Sequence, residues 1–140
     1  MAIDAGLGAI VFLIARILFG GLLMYQGLNH FLNIDAMTEY AEFKSVAAAR
    51  FGVLASGGLL ALGGLGILFG VYPAIAAGLL VVFFLVVTPQ MHDFWAVPED
   101  QQQDEMTNFI KNVELLGASL VFLALSSETW AYALGIGLGL

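Results

Sequence analysis

The chain has no cysteine and only four basic residues among its 140. The missing cysteines exclude a disulfide framework, thiol-relay chemistry and cysteine-based zinc or iron–sulfur sites. Four basic residues against eleven acids give a net charge of −7 and no basic face to neutralise phosphates, which excludes nucleic acid as a partner. Charge of either sign is scarce, at 11% of the residues, where a soluble domain carries about 25%. Apolar side chains, 61% of the chain, and 17 glycines take its place. A soluble globule of this size could not cover so much apolar surface, and a disordered chain would not contain it. The composition excludes an ordinary cytosolic enzyme and makes the lipid bilayer the expected partner.

The spacing of the charges divides the chain. Between Arg50 and Asp93 lie 42 residues without a formal charge, about 63 Å of helix and twice the roughly 30 Å of a hydrocarbon core. Gly70-Val71-Tyr72-Pro73 interrupts the run near its middle, so it reads as two spans joined by a tight turn, with Pro73 opening the second. Gly6 to Phe31 gives a span upstream, broken only by Arg16, and Thr107 to Leu125 gives one downstream. The expectation is an all-α integral membrane protein, a four-helix antiparallel bundle. It forms a single domain over 1–140 with spans at roughly 7–31, 46–69, 73–92 and 107–126. Asp4 is the only charged side chain before the first apolar run; a cleavable signal needs a basic flank there, so that run is expected to remain as a span.

The links 33–45 and 93–106 should then share one membrane side. Lys44, Arg50 and Lys111 lie in or beside them, and the positive-inside rule places that side in the cytoplasm. The acids Asp35, Glu39, Glu42, Asp93, Glu99, Asp100, Asp104 and Glu105 cluster in the same links and read first as a solvated acidic surface. Asp35 can cap a short helix whose Met37, Tyr40, Ala41 and Phe43 rest on the headgroups. Pro98 followed by Glu99 and Asp100 is a helix-start signature.

Polar residues inside spans each cost about 2.5–3.5 kcal/mol at mid-helix, so each should face protein or water. Arg16, Gly20, Leu23, Gly27 and His30 fall within about 40° of one line on the first span, a stripe that a neighbouring backbone or a flat ligand could approach closely. Arg50 and Glu114 have similar depths and are expected in contact; such a pair either holds helices together or lines a polar pocket. A ligand pocket is expected at the loop-side end between spans 1, 3 and 4. Gln26, His30, His92, Asn108, Lys111 and Asn112 would supply its donors, and Trp95, Phe31 and Phe109 its walls. Arg50, Asp93 and Glu114 complete the candidate ligand residues, with Asp93 orienting His92 and Arg16 as a buried charge. Pro89 could kink the third span and open the slot. The two histidines with Asp93 are a conceivable metal set, but histidines at span exits are more often interfacial, and no metal is expected.

The run Arg16-Ile-Leu-Phe-Gly-Gly-Leu-Leu-Met-Tyr-Gln-Gly-Leu-Asn-His-Phe resembles the first helix of the DoxX family, as do Ser56-Gly57-Gly58-Leu59-Leu60 and the Gly-Val-Tyr-Pro turn. His92-Asp93-Phe94-Trp95 followed by Asn108-Phe109-Ile110-Lys111-Asn112 resembles a pattern of one DoxX branch. The resemblance covers roughly residues 10–125 and implies a four-helix protein of a prokaryotic cytoplasmic membrane. It also implies an association with thiosulfate:quinone oxidoreductase, quinone and catechol metabolism, or oxidative-stress complexes. One departure is clear: many members carry a glutamate in helix 2 shortly before the Gly-Gly, where this chain has Val53-Leu54-Ala55-Ser56. Either Glu114 takes its place or the activity differs.

Two functions follow. The first is a small redox-associated subunit that binds a quinone-like hydrophobic molecule for a membrane oxidoreductase system, with a membrane or soluble oxidoreductase as its partner. The second is a non-catalytic scaffold or assembly subunit that recruits a partner through its acidic loops. A homo-oligomer is a further candidate association. No cofactor fingerprint or nucleophile–base pair supports independent catalysis.

Overall fold

The computed structural model describes residues 2–137. Among them the chain forms α1 (Gly6–Leu32), α2 (Ile34–Phe43), α3 (Ala49–Phe69), α4 (Pro73–Met91) and α5 (Glu99–Ala124). The described residues thus form five helices and not a bundle of four alone, because the short helix expected in the first link is formed as α2; it follows Asn33, and Asp35 lies in its first turn and does not cap it. α1, α3 and α4 are long and apolar enough to cross a membrane. α5 has the length, at 26 residues, but its first quarter is Glu-Asp-Gln-Gln-Gln-Asp-Glu, which dilutes its apolar character. It starts directly after Pro98, where the proline and the two acids that follow predict a helix start, so the expected span boundary at 107 lies within it.

α1 and α3 lie antiparallel and nearly backbone to backbone. A Cβ at Gly20 would strike the Gly64 carbonyl and the Leu68 amide, and one at Gly64 would strike the backbone of Gly20 and Met24. Gly27 faces Ala61 and the Gly57 carbonyl in the same way, and Gly57 faces the His30 Cβ. The glycine stripe of the first span is therefore occupied by a neighbouring helix. That close approach replaces side-chain interdigitation as the packing device. α4 packs on the other side of α3, with Ala76 and Leu80 against Gly66 and Gly63. Leu23, Leu60, Ile67, Ala77, Leu80 and Phe84 form the centre of the core. The outer faces are as apolar as the core: Leu18 is 58%, Leu62 62% and Leu85 56% exposed, an arrangement stable against lipid and not against water.

The end of the molecule at the α3–α4 turn is closed by a buried arginine. The last carbonyls of any helix lack intrahelical donors, and here each of those of α3 finds one. Gly70 takes a left-handed φ of 65°, and Val71 donates back to the Gly66 carbonyl at 2.9 Å. Arg16, 0% exposed, donates from Nε to Ile67 O at 3.1 Å and from Nη2 to Leu68 O at 2.8 Å. Leu134 donates to the Phe69 carbonyl at 2.8 Å. The cation also suits the negative end of the α3 dipole.

Leu134 belongs to a segment after α5 that folds back over the turn. Arg16 holds it through Nη1 to Ala131 O at 2.8 Å and Nη2 to Tyr132 O at 3.2 Å. Trp130, 3% exposed, packs edge-on against Phe12 and lies under the guanidinium at 5.5 Å. No acid within ion-pair distance of Arg16 is found among the described residues. Its charge is met by carbonyl dipoles and aromatic faces.

Candidate functional site

The opposite end, formed by α2, the two links and the facing helix ends, is built differently. α2 lies across the ends of α3 and α4, with Ala41 packed against Ala49 and Val53. Between α2, α3 and α4 it encloses a cavity of about 300 Å³, at the lower end of the range of small-molecule pockets. Met37, Tyr40, Val53, Val87 and Met91 make its walls largely apolar, and His30, Tyr40, Ser56 and Gln90 bring polar atoms to it. His30 Nδ1 lies 3.0 Å from the Gln26 carbonyl of its own helix. A carbonyl only accepts, so Nδ1 carries the proton, and in the neutral ring Nε2 is left as an acceptor. Ser56 spends its hydroxyl proton on the Val53 carbonyl at 3.1 Å. Pro89 has no N–H to donate to the Leu85 carbonyl one turn back. Thr38 Oγ1 and Thr88 Oγ1 are buried at this end without a hydrogen bond in the structure.

Beside the cavity an ion network ties the two links together. Lys44, its side chain 8% exposed, pairs with Asp93 at 2.8 Å and reaches Glu105 at 3.8 Å. His92 Nδ1 meets the other oxygen of Glu105 at 2.9 Å. Burial disfavours the Lys44 charge, but the hydrogen bond to Asp93 and the charges of Glu105 and Tyr40 outweigh it and raise the pKa. The same hydrogen bond from Lys44 is the main reason Asp93 titrates below the usual carboxylate range. Phe94, Trp95 and Phe109 form an edge-to-face cluster next to this network, with centroids 5.1–6.0 Å apart.

The structure redistributes the residues singled out from the sequence. Of the expected ligand residues, His30 alone lines the cavity. The cavity lies under α2 and not between α1, α4 and α5, because α2 folds back over the helix ends and creates a concave surface there. Arg50 does not meet Glu114: it pairs with Asp35 at 3.0 Å on an exposed surface. The expected equal depth does not hold: Glu105 sits beside His92 at the end of α4, so Glu114 lies about 13 Å further in, while Arg50 is the second residue of α3 at the link end. The acid on His92 is Glu105, and Asp93 turns to Lys44. Trp95 and Phe109 do meet. Gln26, Phe31, Lys111 and Glu114 are exposed on helix surfaces, while Asn108 and Asn112 are half-buried on α5. Arg16 is buried at the far end from all of these.

Sequence reasoning missed two things: α2 as the roof of a cavity, and the segment 125–137 as the partner of Arg16. Only the other half of the Arg16 contacts had a signal: a buried arginine with no acid at its depth needs carbonyls, and the nearest unpaired ones terminate α3.

The family model DoxX matches residues 11–93, the stretch that contains the glycine-packed hairpin, the tight turn and the cavity walls. The chain belongs to the DoxX family. It is an all-α membrane protein whose helices contact the lipid bilayer. Searches of curated proteins and of solved structures give no significant match to it. The matched stretch holds every helix that lines the cavity, so the DoxX region is the cavity-bearing part of this protein and α5 lies outside it.

Proposed function

We propose that this DoxX protein is a small redox-associated subunit of a prokaryotic cytoplasmic membrane that binds a quinone-like ring in the cavity beneath α2. The observation that carries this reading is the apolar slot lined by His30, whose Nδ1 is engaged by the Gln26 carbonyl and whose Nε2 is left as an acceptor. An acceptor suits a ring hydroxyl better than a ring carbonyl, so the reduced, hydroxyl-bearing form of the ligand is the one held. Tyr40 and Gln90 can donate to a second ring oxygen. The fit is to the ring; a long tail would leave the cavity toward lipid past the exposed side of α2. With α5 as a fourth span the chain forms a four-helix antiparallel bundle plus the roof helix. Lys44 and Arg50 favour the links in the cytoplasm. There the network around Lys44 would face a membrane or soluble oxidoreductase partner.

The test is binding of a hydroquinone analogue to the purified protein in lipid nanodiscs. Saturable binding is expected, weakened about tenfold by His30→Ala, the worth of one hydrogen bond in a dry site, and abolished by Ser56→Phe, which fills the slot. Equal binding by all three forms overturns the proposal. A second reading has its own support: Glu39, Glu42, Glu99, Asp100 and Asp104 are all exposed at one end, a surface suited to recruiting a basic partner. A protein that binds such a partner but no ring ligand would be a scaffold.

A further inference from the structure

α5 carries charges on its uncovered side. The His92–Glu105 contact at 2.9 Å fixes its register against α4, and Phe122 against Phe19 and Phe12 fixes it against α1. Glu114 is nine residues beyond Glu105, about 13 Å further from the link end. Nine residues back from His92 along α4 lies Phe83, near the middle of that apolar helix. Glu114 is therefore level with the centre of the apolar helices. Yet it does not turn inward. Glu105, Asn108, Asn112, Leu115 and Ser119 mark the covered side of α5, whereas Ile110, Glu114, Gly117 and Val121 are exposed together on the opposite one. Only Ser119 and Phe122 of this helix are fully buried. Ionisable groups at such depth almost always face protein or water, because lipid offers no partner for them.

We infer that the Ile110–Glu114–Gly117–Val121 face of α5 is the contact surface for a second copy of this chain. The inference rests on α5 being the fourth span. Charge complementarity selects the occupant. Lys111, also exposed, lies three residues and about 4.5 Å from Glu114 along the axis and about 60° around the helix from it, so its long side chain flanks this face, which with it carries both signs and is complementary to itself. Two copies related by a twofold axis along the membrane normal set their α5 helices parallel, and each Glu114 meets the lysine of the other copy. An unrelated helix would have to supply a matching pair; a second copy already has one. Gly117, one turn deeper, has nothing within 4 Å of where a Cβ would stand, so its backbone is open to close helix approach.

The absence of cysteine makes the test clean. Gly117→Cys introduces a single thiol into open space, and Leu18→Cys places one on the lipid face of α1 as a control. In purified protein reconstituted at low density in lipid vesicles, oxidation should link the Gly117→Cys variant into a covalent dimer and leave the α1 control monomeric. Adding Glu114→Leu, which suits lipid and spares the fold, should lower cross-linking roughly three- to tenfold. A membrane-impermeant thiol reagent should leave the thiol introduced on α5 unlabelled. If that thiol is unlabelled but cross-links no better than the control, the interface is overturned while the span stands. If it is labelled, the fourth span is overturned, and the interface with it. Cross-linking that survives Glu114→Leu undiminished overturns the role of the charge pair.

Discussion

The two ends of this protein handle buried polarity in opposite ways. At the turn end one arginine, 0% exposed, takes up two of the carbonyls that terminate α3 and two more from the returning segment, and the groove of about 500 Å³ beside the turn is lined, Tyr72 apart, by apolar residues. At the link end the charges pair with one another across Lys44, Asp93, Glu105 and His92, two buried hydroxyls go unpaired, and a cavity of about 300 Å³ remains. Backbone dipoles do not titrate or exchange, so an arginine set among them is a fixed closure. Carboxylates, a lysine and a histidine beside a slot can exchange partners. Stability is concentrated at one end and adaptability at the other, as expected of a site that must admit a ligand.

The largest effect should come from breaking the closed end. Arg16→Met leaves several carbonyls without donors in a dry environment, and we expect a loss of about 3–5 kcal/mol, read as a lower melting temperature in detergent. An unchanged melting temperature would mean the returning segment does not depend on the arginine.

At the link end the effects should be smaller and depend on pH. Asp93 titrates low, so its contribution is present above the ordinary carboxylate pKa and lost as pH falls through its own. Lys44 titrates high, so its contribution is present below the ordinary lysine pKa and lost as pH rises through its own. The pair thus stabilises fully between about pH 4 and about pH 10. Asp93→Asn should cost about 1.5 kcal/mol at neutral pH, the low end for a charged hydrogen bond because Asp93 is partly in water. It should also flatten the acid limb of the melting profile. A variant with the same acid limb as the parent would show that the pair is not formed.

Thr88→Val removes a buried hydroxyl that has no partner and should be neutral or stabilising by up to about 1 kcal/mol; a clear loss would reveal a partner for it. Smallest of all, Arg50→Ala should change stability by less than about 1 kcal/mol, since its pairing with Asp35 is open to water.

Much of the frame was legible because lipid imposes simple rules. Long uncharged runs gave the apolar helices, Gly70 and Pro73 gave the turn, and the glycine period on α1 gave the face that α3 covers. Pro98 and the acids after it gave the start of α5. The site was legible only at His30. Sequence distance gives depth only once the point where each helix enters the bundle is known, and neither that point nor the azimuth of one helix relative to another is written in the sequence; α5 starts at Glu99 and carries Glu114 deeper than Arg50, which stays at the start of α3. Nor does an amphipathic segment such as 34–43 announce whether it spreads on headgroups or folds back as a roof. Two of the four carbonyls that Arg16 holds belong to a segment whose side chains, Trp130 apart, carry no sign of the contact.

The division of labour between the ends is tested most directly by photolabelling the protein in nanodiscs with an azido-hydroquinone and mapping the modified residues. The account predicts adducts on the cavity-lining stretches of α2, α3 and α4, at Met37, Tyr40, Ser56 and Met91 or their neighbours, protected by excess unmodified ligand. Labelling confined to Asn108, Lys111 and Asn112 on α5, or to the segment around Trp130, would contradict it.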